Sequence, residues 1–170
     1  MKDIYQYFVE GEDEKHLIEV LKTDIKLIMP GKVQIFNVVQ EIIKDSRLKI
    51  LSNNTTLVFL FDTDVENTNI LYQNIQKAEK SSKVKKVLCV TQVKNLEDEL
   101  IRCTNISNIE ELLNSKSKSD FKRDFLKERH VQKKLENHGF DIEKLSCQTP
   151  PKPFDEISND AKVIKISNQC

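Results

Sequence analysis

The chain has 170 residues, a length that fits one domain with its own hydrophobic core. Its composition, with 38% hydrophobic and 32% charged residues, is ordinary for a globular protein, and no stretch approaches the roughly 20 apolar residues of a membrane-spanning helix. The 27 basic residues balance the 27 acidic ones, which excludes a uniformly basic nucleic-acid-binding body.

The first hundred residues alternate between two hydrophobic patterns. β-branched and aromatic runs predict strands, and apolar residues at a period near 3.6 predict helices. In chain order we predict strands at 4–9, 33–38, 56–61 and 86–91, and helices at 13–25, 39–51, 69–80 and 96–103. This alternation predicts the α/β class, with a mostly parallel four-stranded sheet flanked by helices.

Residues 104–170 predict a mainly helical extension to this core. We predict helices at 109–113 and 119–138, the second ending at Gly139. Residues 146–160 contain three prolines and much polar sequence, which predicts a loop or extended arm, and 161–166 alternate like an edge strand. The predicted division is therefore a core at 1–103 and an extension at 104–170.

Cysteine usage and the N-terminus predict a cytoplasmic protein. Cys89, Cys103, Cys147 and Cys170 form no CxxC pair and show no zinc-ligand spacing, so free thiols are expected. The opening sequence MKDIYQYFVEGEDE turns acidic early and lacks the shape of a signal peptide.

Acidic residues follow three of the predicted strands. These groups are Glu10-Gly11-Glu12-Asp13-Glu14, Asp62-Thr63-Asp64 and Glu97-Asp98-Glu99. Because parallel strands bring their carboxyl ends to one edge of the sheet, all three groups are expected to converge there. Converging carboxylates repel one another unless a cation neutralises them, and oxygen ligands favour Mg²⁺ or Mn²⁺.

Simpler explanations exist for each acidic group taken alone. Asp13 and Glu14 could serve only to complement the dipole of the predicted helix, and a single DxD in a loop is often just solvated. Gly11 is expected to permit a sharp turn beside a ligand. The order of the three groups, each after a strand, favours a shared site.

This constellation resembles the Toprim family, which has a Glu-Gly after its first strand and a DxD after its third. Glu10-Gly11 and Asp62-x-Asp64 supply these motifs. The chain is most similar to the Toprim half of OLD (overcoming lysogenization defect) nucleases and to small stand-alone Toprim proteins. Their EGxxE signature is matched by residues 10–14, and their Leu-Glu pair by Leu96-Glu97.

The resemblance implies Mg²⁺-dependent phosphodiester hydrolysis by a two-metal site. It assigns Glu10, Asp62 and Asp64 as catalytic residues. The implied metal ligands are Glu10, Glu14, Asp62, Asp64 and Glu97. The chain departs from OLD proteins in having no GxxxxGK[ST] motif, so any regulatory ATPase is expected to be a separate partner protein. An effector role in bacterial anti-phage defence is also an implication of the family.

A basic segment follows the predicted core. Between 116 and 134 there are eight Lys or Arg residues and three acids. The residues predicted to contact nucleic acid are Lys118, Lys122, Arg123, Lys127, Arg129, Lys133 and Lys134. The alternative is a solvated helix face on which Asp120, Asp124 and Glu128 balance the bases. Lys94, Lys152 and members of this segment are all candidates for the basic residue that neutralises a phosphate.

Two functions of different class therefore remain open. The first is a metal-dependent nuclease acting on DNA or RNA. The alternative is a non-catalytic Toprim subunit that binds a partner or nucleotide and works with a separate ATPase. A phosphatase acting on small substrates would use the same carboxylates. The sequence leaves the oligomeric state open.

Overall fold

A computed structural model of the chain describes residues 3–166 and confirms the α/β class. The strands are β1 (Ile4–Val9), β2 (Gly31–Ile35), β3 (Thr55–Asp62) and β4 (Val84–Gln92). The helices are α1 (Glu12–Glu19), α2 (Asp45–Lys49), α3 (Asn69–Glu79), α4 (Leu96–Cys103), α5 (Glu110–Leu113), α6 (Lys118–Lys127), α7 (Val131–Asn137) and α8 (Ala161–Ile164). A π-helical turn at Val20–Asp24 continues α1, and a 3-10 turn covers Ile142–Lys144.

The four strands form one parallel sheet in the order β2-β1-β3-β4. Side chains alternate between its two faces, as the two-residue period of a strand requires. Tyr7 and Val58 belong to a cluster with α1, α4, α6 and α7, whereas Phe8 and Phe59 belong to a second cluster with α2 and α3. Helices therefore cover both faces, and β3 is buried along nearly its whole length.

The extension shares the first of these clusters. Phe121 and Phe125 of α6 and Leu135 of α7 are buried together with residues of β1, β3 and α1. The proposed division between residues 103 and 104 remains a prediction. Residues 1, 2 and 167–170, which the predicted units include, lie outside the described part of the chain.

The helix predicted at 39–51 is wrong for its first half. Only Asp45–Lys49 is helical, because Asn74 of α3 binds the preceding segment through three hydrogen bonds. Its side-chain oxygen accepts from Ile43 N at 2.8 Å, and its Nδ2 donates to Val38 O at 2.8 Å and Glu41 O at 2.7 Å. These bonds hold the segment as a turn, and β2 correspondingly ends at Ile35 rather than at residue 38.

The long helix predicted at 119–138 is two helices. Glu128 adopts extended backbone (φ −70°, ψ 120°), and its side chain accepts a hydrogen bond from His130 N at 2.8 Å. The break changes the direction of the chain, so that Phe125 of α6 and Val131 of α7 are both buried in the core.

The predicted edge strand at 161–166 is also wrong, because Ala161–Ile164 forms a helical turn. The next residues run beside the loop before β2, with Ile166 N donating to Leu27 O at 2.9 Å. Asp160 instead forms hydrogen bonds with the outer edge of β4. Its Oδ2 accepts from Cys89 N at 2.9 Å, and its N–H donates to Cys89 O at 2.7 Å.

None of the helices between residues 3 and 166 has the length and apolar character needed to cross a bilayer.

Gly31 allows β2 to approach β1 closely. A Cβ at this position would lie 2.5 Å from the backbone oxygen of Tyr5, its partner in the parallel pair. We therefore expect Gly31→Ala to lower the free energy of unfolding by about 1–3 kcal/mol, measured by denaturant titration. Lys32→Ala, at the exposed neighbouring position, should change it by less than about 0.5 kcal/mol. Equal stability of the two variants would contradict this register.

Candidate functional site

The strand order reverses around β1, which pairs with β2 on one side and β3 on the other. In open parallel sheets, ligands bind at the carboxyl ends of the strands flanking such a point. Glu10 directly follows β1, and Asp62 is the last residue of β3. Asp62 N donates a hydrogen bond to Glu10 Oε2 at 3.3 Å. The sheet therefore brings together two carboxylates that are 52 residues apart in sequence.

Burial opposes the ionisation of both Glu10 and Asp62. Burial raises the pKa of Asp62, and the charges of Glu10, Glu14 and Asp64 raise it further. Burial also raises the pKa of Glu10, an effect that the hydrogen bond from Asp62 N partly offsets and the charge of Glu14 reinforces. Asp62 Oδ1 is buried without a hydrogen-bond partner. The two carboxylates are therefore destabilised when ionised without a cation.

Glu14 enters this crevice from the first turn of α1. It is 8% exposed, and burial raises its pKa while the backbone N–H groups of Glu14 and Gly11 act to lower it. The chain bends at Gly11 as expected, but the backbone there is extended (φ −150°, ψ −173°) and the bend requires no positive φ. Gly11 provides space instead, because a Cβ there would lie 3.1 Å from Glu14 Oε2.

A second acidic pair lies between α1 and α4. Lys122 Nζ of α6 is 3.5 Å from Glu97 Oε1 and 3.9 Å from Asp13 Oδ2. Burial lowers the pKa of Lys122, but the negative charges of Glu97, Asp13 and Glu14 outweigh this effect and raise it. The side chain remains 61% exposed, whereas that of Glu97 is only 7% exposed. Lys122 thus presents its charge to solvent beside buried carboxylates.

The predicted metal ligands fall into two groups rather than one ligand shell. Glu10, Glu14 and Asp62 interact electrostatically, with exposed Asp64 at their margin, and Glu97 instead pairs with Lys122. Between residues 3 and 166, no three His, Cys, Asp or Glu side chains are arranged closely enough to hold a metal ion. The ligand set therefore stays a prediction.

Of the residues predicted to contact nucleic acid, Lys122 contacts the carboxylates. Arg123 pairs with Asp120 at 2.9 Å and with Asp124 at 3.0 Å, as the balanced-face interpretation expects. The others lie on the outer surface of α6, α7 and their connection: Lys118, Lys127, Arg129 and Lys133 are exposed, and Lys134 is half-buried. Phe121 and Phe125 point inward to the core.

Two further residues were not singled out as site residues by the sequence patterns. Asp13 belongs to the first predicted acidic group without being assigned as a ligand, and it lies beside Lys122. Glu99, a member of the third acidic group without an assigned role, is completely buried and accepts hydrogen bonds from Val93 N at 3.0 Å and Ser146 N at 2.9 Å. The contacts of Asp13 with Lys122 and of Glu99 with Ser146 join distant segments, so no local spacing in the sequence could have revealed them.

No family model matches the chain, and neither a curated protein nor a solved structure matches it.

The stability of the metal-free protein should depend on pH through Glu10 and Asp62. Because the folded-state pKa values of Asp62 and Glu10 lie above their ordinary values of 3.8 and 4.5, the native state binds more protons than the unfolded state above those values. The free energy of unfolding should therefore fall as pH rises from about 4.5 toward alkaline pH.

In EDTA at pH 8, Asp62→Asn should raise the free energy of unfolding by roughly 1–3 kcal/mol and flatten its pH dependence. Denaturant titration from pH 5 to 8 measures both effects. Asp155→Asn, at an exposed position outside the crevice, is the control and should change little. A destabilised Asp62→Asn variant would show that the carboxylates are not in conflict.

Proposed function

We propose that this chain is a Toprim-like nuclease that hydrolyses phosphodiesters in DNA or RNA with Mg²⁺ or Mn²⁺. The observation that carries the proposal is the Glu10–Asp62 pair at the point where the strand order reverses. Two adjacent carboxylates whose pKa values are raised by burial in a ligand-binding crevice favour a cation as the missing partner.

The donor chemistry of the crevice fits a hard divalent cation. All its acidic groups offer oxygen, and the buried Oδ1 of Asp62 has no hydrogen-bond partner. Glu10 and Asp62, with Glu14 and Asp64 beside them, are the residues we propose to hold the ion. When bound, the ion would activate a water and stabilise charge on the scissile phosphate.

Lys122 is the residue we propose to contact that phosphate. Its ammonium is near Glu97 and Asp13, so it is held close to the crevice, and its exposure leaves donors free for an incoming anion. Lys118 lies one turn earlier on the same face of the helix and would extend the contact along a nucleic-acid backbone.

The second candidate is a binding subunit without turnover. It is favoured by the position of Glu97, which pairs with Lys122 instead of joining Glu10, Glu14 and Asp62. In that case the crevice would bind an ion or nucleotide only, and hydrolysis or regulation would involve a separate ATPase partner.

Substitution of the paired carboxylates separates the two candidates. We expect wild type to cleave a labelled DNA or RNA substrate with Mg²⁺ or Mn²⁺ and to stop in EDTA. Asp62→Asn and Glu10→Gln should each lower the rate at least about 100-fold, because each removes a proposed ligand charge. Asp45→Asn, an exposed acid on α2 paired with Lys77, is the control and should retain full activity. Cleavage that persists in both site variants would rule out the nuclease, and metal binding without cleavage would support the binding subunit.

Lys122→Ala should weaken nucleic-acid binding by about tenfold in a titration monitored by fluorescence anisotropy. It should also reduce the slope of the logarithm of the binding constant against the logarithm of the salt concentration by about 1, as expected for one phosphate contact. Lys133→Ala on α7, which removes an equally exposed charge away from the carboxylates, is the control and should have a smaller effect. Equal effects of the two substitutions would mean that Lys122 contributes only to the general charge of the surface.

A further inference from the structure

The buried carboxylate of Glu99 anchors the loop that follows β4. Glu99 is 0% exposed and accepts hydrogen bonds from Val93 N at 3.0 Å and from Arg102 Nη2 at 2.7 Å. Arg102 Nη2 also donates to Val93 O at 2.8 Å. The ion pair between buried Glu99 and half-buried Arg102 therefore holds both polar groups of the Val93 backbone. It fixes the first residue after β4.

This fixed loop binds the residue between the two acids of the DxD motif. Lys94 has a left-handed backbone (φ 68°), and its N–H donates to Thr63 Oγ1 at 3.1 Å. Thr63 N donates to Gln92 O at 3.0 Å. The backbone and the side chain of Thr63 are thus both hydrogen-bonded to consecutive parts of the same neighbouring segment.

A non-glycine residue in the left-handed region is uncommon and is costly unless surrounding contacts impose it. At Lys94 the imposing contacts are the Glu99–Arg102 pair on one side and the Thr63 hydroxyl on the other. The strained residue therefore connects a buried anchor to the middle of the DxD motif.

We propose that Thr63 is a positioning residue for Asp62 and Asp64, anchored by Glu99 through the loop after β4. This inference rests on the metal-binding role proposed above, which it deepens. Thr63 provides no charge to the crevice, and its hydroxyl sets the direction of the chain between the two proposed ligands. Residues outside the ligand shell that orient metal ligands typically contribute 10–100-fold to metal affinity.

The test compares metal affinity in three substitutions of buried threonines on β3 or directly after it. Thr63→Val removes the hydroxyl while keeping the shape, and Thr63→Ser restores the hydroxyl. Thr55→Val is the matched control, because Thr55 is 1% exposed and its Oγ1 donates to Ser52 O at 2.8 Å at the opposite end of β3. Mn²⁺ and Mg²⁺ binding to the full chain is measured by calorimetry, with thermal unfolding recorded in parallel.

We expect Thr63→Val to weaken metal binding about tenfold, Thr63→Ser to recover it, and Thr55→Val to leave it unchanged at comparable thermal stability. Glu99→Gln should also weaken binding, and its effect should not add to that of Thr63→Val, because both act through Lys94. Wild-type affinity in Thr63→Val, or equal losses in Thr63→Val and Thr55→Val, would overturn the proposal.

The outcomes distinguish this inference from the nuclease proposal. Metal binding without cleavage by wild type would overturn the nuclease but leave the Thr63 comparison decisive. Cleavage by wild type, together with unchanged metal affinity in Thr63→Val, would support the nuclease and overturn the role of Thr63. If wild type bound neither ion, the metal site and its positioning residue would both be rejected.

Discussion

The candidate site depends on the burial of two carboxylates that the sheet forces together. Glu10 and Asp62 end neighbouring strands, and the parallel pairing of β1 with β3 fixes their separation regardless of their charge. The core on both faces of the sheet supplies the free energy that holds this unfavourable pair in place. Such a conflict is a familiar property of functional sites, where local stability is lost to obtain a charge ready for a ligand.

The extension is part of this arrangement rather than an appendage to it. Phe121 and Phe125 bury one side of α6 in the main cluster, and Lys122, between them in sequence, consequently lies over α1 and α4. The same packing that stabilises the helix thus places its ammonium beside Glu97 and Asp13. Packing and electrostatics are therefore linked at a single helical turn.

The sequence was most informative where one periodicity extended without interruption. Strand 4–9 and helix 96–103 were predicted to the residue, and the acids after β1 and β3 could be placed together because parallel topology decides where strands end. The failures involve distant partners: Asn74 prevents a helix before Asp45, and no local pattern signals a side chain three dozen residues away. The pairing of Lys122 with Glu97 and the hydrogen bond from Ser146 N to Glu99 could not be predicted for the same reason, since each joins distant parts of the chain.

The two hydrogen bonds between Asp160 and Cys89 have a consequence for assembly. A bare outer strand exposes backbone groups that can pair with another chain and let the sheet grow. Here the arm occupies both polar groups of Cys89 in the middle of β4, so intermolecular strand addition on that side must first displace it. Lateral growth of the sheet is consequently obstructed at the middle of β4.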